Sequence, residues 1–98
     1  MQVHHEDSDL NRLETDIGFD VGYDRAIVKA FRMRMQLIRS AVDTRAFYAM
    51  SSLHFEKLKG SRQDQYSMRL NSQWRLILKM KDEPSGKVIV VVSISDYH

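Results

Sequence analysis

The hydrophobic period of this chain changes once, near residue 52. Before that point, apolar residues recur at helical spacing. Ile27, Ala30, Phe31, Leu37, Ile38 and Ala41 form one stripe, while Lys29, Arg32, Gln36 and Arg39 fall on the water-facing side. The pattern predicts a helix from Arg25 to about Ser40, with Asp24 as its cap and the stripe packed on a sheet. A shorter helix is expected over residues 9–15, with Ser8 as N-cap. Another begins at Asp43 and contains Ala46, Phe47 and Met50. Gly18 and Gly22 mark a loop between the first two helices. Residues 1–6 read as a short first strand centred on Gln2-Val3-His4-His5.

After Ser51-Ser52 the period becomes two. Residues 53–59 read as a strand ending at Gly60. Residues 65–71 alternate Tyr66, Met68 and Leu70 against Ser67, Arg69 and Asn71, as a half-buried strand does. Residues 73–80 alternate Trp74, Leu76, Leu78 and Met80 against Gln73, Arg75, Ile77 and Lys79, and Trp74 is expected in the core. Asn71-Ser72 is a tight connection, and Asp82-Glu83-Pro84-Ser85-Gly86 places Pro and Gly in a second turn. Residues 87–95 are apolar on both faces, which suits an interior strand. The expected fold is α+β: N-terminal helices packed on one face of a mainly antiparallel sheet of four to five strands, in a single domain spanning residues 1–98.

Composition narrows the class. At 98 residues and without cysteine, the chain has one modest core and neither disulfides nor thiolate metal sites. No apolar run approaches the eighteen or so residues of a membrane span, and the N-terminal residues are acidic and polar. A cytoplasmic protein without a membrane role is the expectation. Adjacent His4 and His5 project to opposite faces of a strand and do not form a metal pair. Most of the six methionines are expected as core filler.

Charge adds a partner class. Residues 1–24 carry seven carboxylates against the single Arg12, a net charge of −6. Residues 25–98 carry fourteen Lys/Arg against six acids, a net of +8. A basic body with an acidic leader suits a polyanion. By strand parity, Lys57 and Lys59 share a side, as do Arg69 and Asn71, and Arg75 and Lys79; Arg62 sits in the loop beside Lys59. Stacked on neighbouring strands, these cations would line one concave sheet face. Arg would then offer bidentate phosphate contacts and Lys point charges. A merely solvated sheet face predicts the same pattern. Arg69 has a further expected partner in Asp96.

The chain ends on Asp96-Tyr97-His98, directly after the most apolar strand. One reading is a polar tail capping that strand; the other is a positioned catalytic group. Asp96, Tyr97, His98, Glu56, Lys59 and Arg75 are together the groups that suit phosphate chemistry without a metal. Cleaving RNA needs a base for the 2′-hydroxyl proton, an acid for the leaving 5′-oxygen, and cations around the phosphorane. Histidine titrates near neutrality and fills either proton role. A tyrosine ring stacks on an unpaired base.

Four strings in order now carry a resemblance. Lys57-Leu58-Lys59-Gly60, Gln65-Tyr66-Ser67-Met68-Arg69-Leu70, Asn71-Ser72-Gln73-Trp74-Arg75-Leu76 and Asp96-Tyr97-His98 closely resemble the HigB branch of the RelE/ParE superfamily of toxins. The family pattern is roughly L-K-G, then W/Y-S-hydrophobic-R, then N-x-x-W-R, then a terminal D-Y-H. The match is close from Leu53 to the end and looser over residues 8–50, where only the order of helices agrees.

The resemblance implies a microbial-RNase-like fold and the toxin half of a type II toxin–antitoxin pair. It implies a ribosome-dependent mRNA endonuclease that cuts the message in the A site by metal-independent attack of the 2′-hydroxyl, with no cofactor. It also implies a cognate antitoxin, of the helix-turn-helix HigA-like kind, contact with ribosome and mRNA, and operator DNA reached only through the antitoxin. Residue by residue, Lys59 and Arg75 match phosphate and transition-state contacts. His98 matches the general acid or base, Tyr97 the residue that stacks on or orients the nucleotide, and Asp96 an orienting or proton-transfer group. Lys57, Arg62, Arg69 and Lys79 are the expected RNA-binding cations beside them.

One departure matters. Close relatives carry His before x-L-K-G, where this chain has Glu56; His54 lies two residues earlier. Wider relatives carry a glutamate there as base, so Glu56 as base with His98 as acid is one assignment. A structural ion pair is the other. Strand parity, which points Glu56 away from Lys59, favours the second. Two further function classes remain alongside cleavage: a non-catalytic binding module that serves as co-repressor with its antitoxin, and a small basic RNA-binding protein.

Overall fold

A computed structural model describes residues 1–62 and 64–96. The chain runs β1 (Gln2–His5), α1 (Ser8–Thr15), α2 (Arg25–Ser40) and α3 (Arg45–Ala49). It continues through β2 (Glu56–Lys57), β3 (Gln65–Arg69), β4 (Trp74–Glu83) and β5 (Gly86–Asp96), with short 3-10 turns at Ser51–Leu53 and Gly60–Arg62. The strands form one sheet in the order β1-β5-β4-β3-β2. Only β1 is parallel to its neighbour. This is the expected α+β, mainly antiparallel arrangement, and β5 is interior as its two apolar faces require.

The helices cover one sheet face. Leu10 and Leu13 of α1 and Ile27, Phe31, Met35 and Ile38 of α2 pack on Met68, Leu76, Leu78, Ile89, Val91 and Ile94. The contact stripe of α2 is rotated from the expected one. Val28 and Met35 are buried, while Ala30, Leu37 and Ala41 only flank the core. Arg32, expected in water, turns back to α1. Its Nε donates to the Leu13 carbonyl (2.9 Å) and its Nη2 to those of Asp16 (2.9 Å) and Phe19 (3.1 Å). The last carbonyls of a helix have no partner within it, and a guanidinium satisfies several at once. Met35 and Met68 are core residues, but Met33 and Met50 are exposed. Trp74 packs against the core and meets Tyr23 edge-on, with ring centroids 6.2 Å apart.

The caps differ in detail from expectation. Asp7, not Ser8, caps α1: its carboxylate accepts from Asp9 N at 2.8 Å, because Asp7 is extended and Ser8 is already helical. Asp24 caps α2 through its carbonyl alone, which accepts from the Ile27 and Val28 amides. Asp43 accepts from Arg45 N at 2.9 Å at the start of α3, and Met50 lies just beyond that helix.

The largest departure is the expected strand over residues 53–59. Only Glu56 and Lys57 pair in the sheet. His54 sits in the left-handed region (φ 45, ψ 46), which breaks the extended run and directs Phe55 inward. There Phe55 stacks on Tyr66 (centroids 5.4 Å apart, 7° between planes) and meets Phe47 at 5.3 Å.

The register of β4 on β5 shifts between Ile77 and Leu78. Leu78 pairs with Val91 but Ile77 with Ser93, so Val92 is an extra residue. The bulge inverts the parity of β5. Before it Ile89 and Val91 face the helices; after it Ile94 does, and Ser93 and Ser95 turn to the open face.

His5, Glu14 and Arg39 lock β1, α1 and α2 together. His5 Nε2 lies 2.9 Å from Glu14 Oε1, and both Arg39 Nε and Nη2 reach the same carboxylate. The Arg39 hydrogen bonds, opposed by burial and aided by His5, hold the Glu14 carboxyl below its ordinary value. A depressed folded-state value adds stability above the unfolded glutamate value of about 4.3, and that stability is lost as pH falls through the folded value. Glu14→Gln should therefore cost on the order of 1–2 kcal/mol at neutral pH. It should cost little once the pH is below the folded value, and thermal melts of both proteins from pH 7 to pH 3 check this.

Candidate active site

Three rows of cross-strand neighbours on the sheet face turned away from the helices bear on the site. Arg69, Arg75 and Ser95 form the first. Glu56, Ser67, Ile77 and Ser93 form the second. Gln65, Lys79, Val90 and His4 form the third. The sheet therefore sets Arg69 directly opposite Arg75. Two like charges at that spacing repel unless other groups hold them, and the surroundings do so.

Arg75 is largely enclosed, with its side chain 13% exposed. Its Nε donates to Ser67 Oγ at 3.0 Å and its Nη2 to the His54 carbonyl at 2.6 Å. Glu56 Oε1 stands 3.7 Å from Nη2. Arg69 donates through Nε to the Asn71 carbonyl (3.1 Å), and its Nη1 lies 3.2 Å from His54 Nε2. The Arg69 carbonyl in turn accepts from Arg34 Nε of α2 at 2.9 Å. Burial pushes the Arg34 guanidinium below its usual range. Arg69 thus meets His54 and Asn71 rather than the expected Asp96. Asp96, exposed at the end of β5, accepts from Gln73 Nε2 at 3.0 Å.

The β2 edge departs from simple parity. Lys57 pairs with Tyr66, so it leaves the arginine face and sets its Nζ 6.0 Å from the Tyr66 ring centroid. Glu56 pairs with Ser67 and lies on the arginine face. Glu56, Lys57, Leu58, Lys59 and Arg62 line one open pocket of about 250 Å³. The reason is local: β2 ends at Lys57, and Gly60 (φ 71) turns the chain into its 3-10 turn, so two-residue alternation stops before Lys59. Arg62 donates to Gln65 Oε1 at 3.0 Å. Lys79 lies farther along the face, 3.5 Å from Glu6. Tyr97 and His98 lie outside the described residues.

The arrangement brings Arg69, Arg75 and Glu56 together, places Lys59 and Arg62 at the adjoining edge, and leaves Lys57 on the other side. It adds two residues not singled out from the sequence as site groups. Ser67 is fully buried under Arg75; its parity with Arg69 was the available signal. In the sequence His54 stands out only as lying two residues before Glu56, because nothing local announces a left-handed histidine. Chemically, the face offers two guanidiniums held in place, of the kind that bind phosphates, and a carboxylate 3.7 Å from one of them.

Comparison with known proteins gives this arrangement a family. A family model described as the RelE-like toxin of type II toxin–antitoxin system HigB matches residues 4–98. The chain belongs to this family. No curated protein sequence matches it. Among solved structures, a YoeB/ParE toxin from Agrobacterium tumefaciens superimposes with a TM-score of 0.62 at 17% identity, covering 100% of both chains. YafQ from E. coli strain BL21(DE3) follows at 0.60 and 13%, covering 97% of this chain and 91% of its own. The YoeB–YefM complex from Staphylococcus aureus gives 0.60 and 18%, with 100% and 97% coverage. At these identities the structures speak for the fold.

Glu56 is more than half exposed, so its pairing with Arg75 is of the surface kind, about 0–1 kcal/mol. Glu56→Gln should leave the thermal midpoint almost unchanged. A loss of several degrees in a melt would make Glu56 a structural ion-pair partner instead.

Proposed function

We propose that this chain is a ribosome-dependent mRNA endonuclease that cuts messages in the ribosomal A site, and that its cognate antitoxin holds it inert. The observation that carries the reading is the Arg69–Arg75 pair, fixed across two strands on the open sheet face with Glu56 beside it. Membership of a toxin family supports the same reading.

The chemistry follows from what such a face offers. An RNA phosphate seated between Arg69 and Arg75 gains two guanidiniums as charge develops on its oxygens. Lys59 at the adjoining edge adds a third cation. The 2′-oxygen attacks the adjacent phosphorus and the bond to the 5′-oxygen breaks, leaving a cyclic phosphate and a 5′-hydroxyl. A base takes the 2′-hydroxyl proton, and an acid returns one to the 5′-oxygen. Glu56 is within reach of Arg75 and suits the base; His98 suits the acid; Tyr97 stacks on or orients the nucleotide, and Asp96 orients a neighbouring group or takes part in proton transfer. The guanidiniums supply the charge that a metal would, so the mechanism is metal-independent. Arg62 and Lys79 extend phosphate contacts along the face.

The antitoxin is the second partner. The Staphylococcus aureus relative is a complex with YefM. For this chain a HigA-like helix-turn-helix protein fits the family, and operator DNA is reached through it. A cytoplasmic site of action follows from ribosome contact. Among the described residues, no helix is long and apolar enough to cross a membrane.

Induced expression in a bacterial host, with primer extension on a reporter message, tests the reading. Wild type should arrest growth and create new 5′ ends within translated codons. Arg75→Ala, Lys59→Ala and His98→Ala should each lower cleavage by about a hundredfold or more. Soluble wild-type protein without new 5′ ends would overturn cleavage and leave a binding module that acts with its antitoxin.

A further inference from the structure

One residue between α3 and β2 contacts both Arg69 and Arg75. His54 ends the 3-10 turn at Ser51–Leu53 in a left-handed conformation, φ 45 and ψ 46. Such a conformation is strained for a residue with a Cβ. Glycine would adopt it freely, yet the chain carries histidine. Two contacts depend on that placement. The left-handed backbone turns the His54 carbonyl onto Arg75 Nη2 at 2.6 Å, and the ring sets Nε2 3.2 Å from Arg69 Nη1. A guanidinium only donates, so Nε2 carries the lone pair and the proton sits on Nδ1. The ring is therefore neutral in this geometry. A protonated ring would lose the acceptor and add a third cation beside two opposed guanidiniums.

We propose that His54 is a positioning residue of this RNA-cleaving site: one residue, through backbone carbonyl and neutral ring, holds Arg75 and Arg69 at the spacing that receives a phosphate. The proposal rests on the cleavage reading above. His54 acts through the arginines and takes no proton from substrate. Its left-handed backbone is the device that points carbonyl and ring at two different strands from one position.

Three substitutions separate backbone from ring. Gly keeps the left-handed backbone and hence the carbonyl contact, and loses only the ring. Asn tolerates the same backbone and retains a side-chain acceptor. Ala loses the ring and strains the backbone. The full-length proteins are compared by thermal melt and by the rate of cutting a ribosome-bound message. His54→Gly should melt at or above wild type yet cut roughly tenfold more slowly, the loss expected for one hydrogen bond to a charged group. His54→Asn should recover part of that loss. His54→Ala should be both slower than the Gly variant and less stable. A Gly variant as fast as wild type overturns the proposal, as does one whose slowing is matched by a lower midpoint, which is the mark of a merely structural turn.

A second readout does not need cleavage. In nitrogen-15 NMR spectra, the Arg69 guanidinium signals should be sharp in wild type and broadened in His54→Gly, while those of Arg75 persist. Unchanged Arg69 signals overturn the proposal even if wild type cuts no RNA. Absent cutting by wild type with the NMR pattern as expected would sink the cleavage reading alone.

Discussion

The β4–β5 ladder is the constraint on which the rest depends. Its ten residue pairs are the longest in the protein, and β1 joins one side of it while β3 and β2 extend the other. One face of the ladder is closed by α1 and α2, and its other face carries Arg75 and Lys79. A single extra residue, Val92, adjusts it. Without the bulge, Ile94 would point away from the core and Ser93 into it. The bulge re-aims the last third of β5 so that serines border Arg75 and the apolar residue stays buried.

That geometry sets the electrostatics of the site. Antiparallel pairing fixes Arg69 opposite Arg75, an arrangement that is unfavourable in an empty sheet and favourable around an anion. The cost is met by neutral acceptors. Ser67 Oγ, the His54 and Asn71 carbonyls and the His54 ring all accept from these guanidiniums, and Glu56 adds one opposite charge at the rim. Neutral acceptors orient a cation without cancelling its charge. The same economy appears on the far side of the molecule, where Arg32 satisfies three carbonyls that end α1 and its following loop.

The candidate site was legible in part. Arg75 and Arg69 could be placed near one another from strand alternation and from the order of the motifs. Lys57 and Glu56 could not. Alternation presumes an uninterrupted strand, and the left-handed His54 before β2 and the turn at Gly60 after it leave just two paired residues. The register of those two, Glu56 on Ser67 and Lys57 on Tyr66, reverses the faces that a continuous strand would assign.

Local patterning by itself determined the elements: a 3.6-residue stripe over α2, two-residue alternation over β3 and β4, a fully apolar β5, and hence an α+β chain with a basic body. These are short-range properties, carried by side chains a few residues apart. Tertiary structure decided the rest. The parallel place of β1 beside β5, the bulge at Val92, the inward turn of Arg32 and the meeting of His54 with two arginines join residues up to dozens of positions apart. Their energies come from satisfying buried polar groups and opposed charges in three dimensions, and no periodicity along the chain records which partners those will be.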